Sequence, residues 1–82
     1  MDLDNGDRIR TVFSDALGIE KEKITEEYGY GDKRWDSVSH MALIAGLETE
    51  FNIMIDTEDV IAMSSVKVSK QILGKYGITF KS

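Results

Sequence analysis

One serine in this chain stands where a serine can do chemistry. Ser37 alone among the serines follows an aspartate, Asp36, and it opens a stretch whose apolar residues recur at helical spacing. At the first turn of a helix the backbone N–H groups are free and the macrodipole is positive, so a hydroxyl there can carry a phosphodiester. The same position also suits a simple helix cap, the commoner use of an isolated Asp or Ser. His40 lies one turn further on, within reach of Ser37, and raises the question of a nucleophile with its base. No Gly-x-Ser-x-Gly elbow surrounds the serine, and a chain of 82 residues offers little pocket for hydrolysis. His40 falls near the core-facing side of its helix, and a structural role is expected for it.

A second candidate, Asp2-Leu3-Asp4-Asn5-Gly6-Asp7, resembles the opening of a calcium loop. Its glycine comes one residue early, and the twelfth position, where a bidentate glutamate belongs, is Phe13. A flexible start and a helix cap are expected there instead. With no cysteine at all, disulfides, thiolate metal sites and a cysteine nucleophile are excluded, and a reducing compartment is compatible. Neither a metal site nor a catalytic residue is expected.

Charge narrows the partners. The formal net charge of -5 disfavours nucleic acid, whose binding rests on Lys and Arg displacing counterions. From Trp35 to Val66 there is no Lys or Arg, whereas Asp36, Glu48, Glu50, Asp56, Glu58 and Asp59 all fall there, so this segment carries the negative excess. No run approaches the roughly 18 apolar residues of a membrane span, and Met1-Asp2-Leu3-Asp4 lacks the basic start of a secretory signal. A cytoplasmic protein of one domain, residues 1–82, is expected, because a chain this short builds a single small core.

The elements that must position Ser37 are helical. Ile9, Val12, Phe13, Ala16 and Leu17 form one buried stripe, predicting a first helix over about Asp7 to Leu17, capped by Asp4 or Asn5 and stopped by Gly18 with Ile19 folding back. From Ile19 to Asp36 no period persists, and a loop that long must be pinned by its own side chains, here Ile24, Tyr28, Tyr30 and Trp35. A second helix is predicted from Ser37 to Phe51. Its Leu43, Ile44, Leu47 and Phe51 make one apolar face, while Val38, Met41, Ala42 and Ala45 lie on roughly the opposite side, beside Ser37. Thr57 is expected to cap a brief third helix with Val60 and Met63 inward. Ser64 or Ser65 should cap a last helix carrying Val68, Ser69, Ile72, Leu73 and Tyr76, ended by Gly77.

Asp36-Ser37-Val38, followed by Met41, Leu43-Ile44, Leu47-Glu48, Glu50-Phe51, Ile53 and Ile55, and continuing without a gap to Ser65-Val66, resembles the signature of the acyl carrier protein family over about two thirds of the chain. Val38 stands where leucine is usual, Ser39-His40 and Ala42 where many fatty-acid carriers have acids, and Asp56 where proline is common. The resemblance implies an all-α, four-helix acyl-carrier-like bundle of three long helices and a short third one. It implies that Ser37, flanked by Asp36, bears 4'-phosphopantetheine taken from coenzyme A, and that the arm's thiol holds acyl intermediates as thioesters for fatty-acid, polyketide or related biosynthesis. The chain would then be a non-catalytic carrier and a monomer. Its partners would be a phosphopantetheinyl transferase, an acyl- or aminoacyl-loading ligase and acyl-transferring enzymes. Val38, Met41, Ala45, Glu48, Asp56, Glu58 and Asp59 are the expected docking surface, and Leu47, Phe51, Ile55, Val60 and Met63 the expected acyl pocket. Two alternatives stand beside this: an aminoacyl or peptidyl carrier using the same serine, and a helical interaction module that carries no prosthetic group.

Overall fold

The structure is a computed structural model that describes residues 4–32 and 34–80. Residues 1–3 lie outside it, and with them the first part of the Asp2-to-Asp7 stretch. Among the described residues four helices follow in order: α1 (Asn5–Leu17), α2 (Ser37–Phe51), α3 (Thr57–Ala62) and α4 (Val66–Gly74), with one 3-10 turn at Lys21–Lys23. Among the described residues there is no strand, and no helix is long and apolar enough to cross a membrane.

Helices α1, α2 and α4 begin where the side chain of Asp4, Asp36 or Ser65 takes free amides, whereas Asp56 before α3 makes no such bond. Asp4 accepts from the Asp7 N–H at 2.7 Å, so α1 starts two residues before the periodicity predicts. Gly18 closes it in the left-handed region at φ 69°, donating to the Ser14 carbonyl. Asn52 closes α2 in the same way at φ 54°. Two boundaries differ from expectation. Thr57 is the first residue of α3 rather than its cap, a position held by Asp56. Helix α4 stops at Gly74 instead of Gly77, because Lys75, Tyr76 and Gly77 donate to carbonyls only three residues back. That tighter winding is the usual end of a helix, and it turns Lys75 and Tyr76 toward α3.

The core is built by α1, α2 and α4, with Val60 of α3 packed against its edge. Ile9, Val12, Phe13 and Leu17 of α1 meet Leu43, Ile44 and Leu47 of α2, and Val66, Ile72 and Leu73 of α4 complete the same cluster with Ile24, Trp35, Ile55 and Met63. The two faces expected of α2 are as the spacing predicts: Leu43 and Leu47 are fully buried, whereas Val38 is 81% and Met41 61% exposed. The stretch between α1 and α2 is pinned twice. Ile24 and Trp35 sink into the core, and its backbone is zipped to the start of α4, with Tyr30 N–H donating to Ser64, Val66 N–H to Tyr28 and Lys67 N–H to Glu26. The Tyr30 side chain does not sink into the core: it is 52% exposed and lies edge-on to Trp35 at 6.4 Å.

Helices α1 and α2 approach so closely that a methyl on Gly46 would come within 2.9 Å of Val12 Cγ1. Alanine is worth up to about 1 kcal/mol over glycine inside a helix, but Val12 is buried and β-branched, with one favoured rotamer. Overpacking should win: Gly46→Ala is expected to destabilise by about 1–3 kcal/mol in urea denaturation. Combining it with Val12→Ala should cost less than the two single changes together. Simple additivity would show that these two positions do not press on each other.

Candidate functional site

Three segments converge beside Ser37. The hydroxyl sits at the first residue of α2 and is exposed. Next to it a cleft of about 400 Å³ opens to the surface, walled by Met41 and His40 of α2, Val60 and Ile61 of α3, Met63 and Ser64 of the following turn, and Tyr30 of the long loop. The wall is largely apolar, and its softest parts are the two methionines.

The start of α2 is capped without using Ser37. Asp36 Oδ1 accepts from the N–H of Val38 at 3.1 Å and of Ser39 at 2.9 Å, and Ser39 Oγ accepts from the Asp36 N–H at 2.9 Å. This reciprocal box leaves the Ser37 hydroxyl pointing out of the cap. It also spends amides that an anion on Ser37 would otherwise find, so helix-end amides contribute less there than sequence spacing implies. Hydrogen bonds from Ser39, through its N–H and its hydroxyl, hold the Asp36 carboxyl below the usual carboxylate range.

His40 is not a base for Ser37. Its Nδ1 accepts from Trp35 Nε1 at 2.9 Å, and that bond requires an unprotonated Nδ1, so the neutral ring carries its hydrogen on Nε2. Nε2 in turn reaches the Val60 carbonyl at 2.8 Å. Both nitrogens are thus engaged, and the imidazole ties the segment before α2 to α3. Its ring lies nearly parallel to Trp35, with centroids 6.0 Å apart, and edge-on to Tyr30 at 5.7 Å.

The expected docking residues separate into two kinds. Val38, Met41 and Ala45 are exposed on one side of α2, and Asp56 and Glu58 are exposed at the start of α3. Glu48 is half-buried, and its Oε2 accepts the Ile55 N–H at 2.9 Å, bracing the turn after α2. Asp59 has to be removed from the surface set. It is 8% exposed, Lys75 Nζ lies 2.5 Å from its Oδ1, and the Tyr76 hydroxyl donates to its Oδ2 at 2.6 Å. The same hydroxyl accepts from the Asp56 N–H at 2.9 Å. The cation-free character of Trp35 to Val66 is therefore true of the sequence only, because the fold brings Lys75 to Asp59 and Arg8 to Glu50.

The expected acyl-pocket residues do not form one chamber. Leu47 and Ile55 are packed in the core and Phe51 turns toward Phe80 and Arg8 at the far end of α2, about 21 Å from Ser37 by helix rise. Val60 and Met63 alone of the five line the cleft beside the serine. Helical spacing put all five on the inner side, but an inner face is mostly filled by its own packing. Tyr30, Ile61 and Ser64, missed from sequence, complete the cleft. Of these, Ile61 is 79% exposed on a short acidic helix.

Among the described residues no group of three or more His, Asp or Glu could hold a metal ion. A second groove, of about 430 Å³, runs between α1 and α2 past Ala16, Ala42, Ala45 and Gly46, away from Ser37. No family model matches the chain.

The Asp59 contacts give a pH signature. Lys75 first and Tyr76 second hold its carboxyl below the ordinary 3.8. A carboxyl lowered on folding adds stability that is present above its unfolded value and lost as pH falls through the folded one. Asp59→Asn should therefore melt below the wild type at neutral pH, and the gap should narrow as pH falls from about 4 to about 2. A gap that stays constant across that range would mean that the charge of Asp59 contributes nothing.

Proposed function

We propose that this chain is a carrier of the acyl carrier type, in which Ser37 takes 4'-phosphopantetheine from coenzyme A. The observation that carries the reading is the exposed Ser37 hydroxyl, spared by the Asp36–Ser39 cap, at the mouth of an apolar cleft. A transferase needs a hydroxyl that is accessible, rigidly placed and free of internal bonds. The residues present fit the arm: Met41, Val60, Ile61 and Met63 offer a dry wall to its methylene and methyl groups, and Tyr30 and Ser64 offer polar atoms at the rim. The arm supplies the thiol for thioester chemistry that a chain without cysteine lacks.

In this reading the four helices are an acyl-carrier bundle. Loading ligases and acyl-transferring enzymes meet it on the side where Val38, Met41 and Ile61 are exposed near Ser37, with Ala45 exposed further along α2. Fatty-acyl and aminoacyl cargo would use the same serine, and a loading assay with each kind of ligase separates them. A module that docks partners through this apolar side without any arm predicts an unmodified Ser37.

Incubation with coenzyme A and a broad-specificity phosphopantetheinyl transferase should add the mass of one arm to the wild type and none to Ser37→Ala in intact-mass analysis. A labelled alanine variant, or an unlabelled wild type, would end the carrier reading. The docking side has its own signature in transfer kinetics. Met41→Glu should slow transfer at every salt concentration, because it places a charge in an apolar contact. Glu58→Lys should slow it chiefly at low salt, since exposed charges act over about 8–10 Å at ordinary ionic strength. Transfer rates equal to the wild type in both variants would place the docking surface elsewhere.

A further inference from the structure

Helix α3 has six residues, fewer than a helix needs to persist alone in water. Its last carbonyls have no partner within the helix, and the one at Val60 is supplied from outside by His40 Nε2 at 2.8 Å. The other end is held separately, where the Tyr76 hydroxyl accepts the Asp56 N–H and donates to Asp59, and Lys75 pairs with Asp59. The two ties differ in what they adjoin. Asp59, Lys75 and Tyr76 lie outside the Ser37 cleft, whereas His40 and Val60 are part of its wall, with His40 on α2 and Val60 on α3. Beside the packing of Val60 and Met63 on the core, those walls are joined among the described residues by one side-chain hydrogen bond, from the side chain three residues after the serine. That side chain is itself fixed from behind by Trp35 Nε1, through a tryptophan that is 1% exposed.

We propose that His40 is a positioning residue for the arm on Ser37: by joining Trp35 to the Val60 carbonyl it holds α3 against α2 and keeps the cleft at the width in which the arm lies. This rests on the carrier reading of Ser37. His40 touches no reacting atom in this role. Loss of its bond to Val60 frees the C-terminal half of α3, while the Asp59–Tyr76–Lys75 tie keeps the N-terminal half attached and the rest of the bundle folded.

The two ring nitrogens can be imitated one at a time. The side-chain oxygen of asparagine falls where Nδ1 lies, and the amide nitrogen of glutamine falls where Nε2 lies. His40→Asn should keep the acceptor for Trp35 and lose the donor to Val60, and His40→Gln should do the reverse. In the unmodified protein, amide hydrogen exchange around the C-terminal end of α3 should rise by about three- to tenfold in His40→Asn, the change expected for one hydrogen bond, and stay near wild type in His40→Gln. Exchange of the Trp35 indole N–H should show the opposite order. A merely structural role would move both probes together in both variants, and that outcome would overturn the proposal.

The arm itself gives the second readout. The chain contains no cysteine, so iodoacetamide reports only on the thiol of the installed arm. That thiol should react more slowly on the wild type and on His40→Gln than in free coenzyme A, and close to the free rate on His40→Asn. Equal rates on all three proteins would overturn the positioning role. If Ser37 accepts no arm in any of them, the carrier reading falls and the arm-positioning role with it. The exchange pattern, measured without the arm, still decides whether His40 holds α3.

Discussion

Trp35 is the largest side chain that the core closes over completely, and it immediately precedes the Asp36-Ser37 pair. Phe13 meets it edge-on at 5.2 Å, Tyr28 stacks against it at 6.1 Å, and its only polar atom, Nε1, is satisfied by His40. Truncating so large a buried aromatic typically costs about 3–5 kcal/mol, a large part of the roughly 4–12 kcal/mol that a chain of this size has in total. Its anchorage fixes the direction of the chain on both sides. Backward, it ends the long loop against α1. Forward, it leaves only Asp36 before the helix begins, so the cap must form where the tryptophan places it, and Ser37 must face outward one residue later. An exposed hydroxyl is thus positioned by a large aromatic that is 1% exposed.

The same residue governs the small third helix at one remove. Helix α3 has little of its own to hold it: six residues, an N-cap without a side-chain hydrogen bond, and an Ile61 that faces solvent. Its order comes from side chains that reach it from elsewhere, His40 at one end and Tyr76 with Lys75 at the other. Such borrowed order is weaker and more local than core packing. On the proposed carrier reading, that suits a wall beside a site where a flexible group must both lie down and leave. The buried carboxylate of Asp59 fits the same logic, because an unpaired charge in that place would be costly, and the late tightening of α4 is what brings its partners into range.

Much of this was legible in the residues. Apolar spacing located α2 from end to end and separated its buried face from the one carrying Val38 and Met41, because a period of 3.6 is a direct record of which side meets the core. Capping chemistry located Gly18 and narrowed the start of α4 to Ser64 or Ser65, of which Ser65 is the cap. The misplaced parts have one cause in common, namely that they depend on contacts between distant segments. Asp59 looked like a surface acid because its immediate neighbours are acidic, and only the fold brings Lys75 and Tyr76, 16 and 17 residues away, to meet it. His40 gave no sign of its two bonds, since nothing local relates it to Trp35 or to the Val60 carbonyl. The expected pocket failed for a related reason. Periodicity tells which residues point inward, but it does not tell where inward-pointing residues leave a gap.

The two ends of the cleft have different electrostatic characters, and this bears on how anything tethered to Ser37 can lie. On one side stands the Asp36 carboxylate, held charged by Ser39 and already occupying the Val38 and Ser39 amides. A phosphodiester on the neighbouring hydroxyl would meet like charge there and few free donors, so it is better accommodated turned away from Asp36 and toward water. On the other side the wall is Met41, Val60, Ile61 and Met63, with no charged side chain among the lining residues. Repulsion behind and an apolar surface ahead act in the same direction. Both favour a tethered chain that leaves the helix start and runs across the α2–α3 cleft, over the Val60 carbonyl that His40 holds in place.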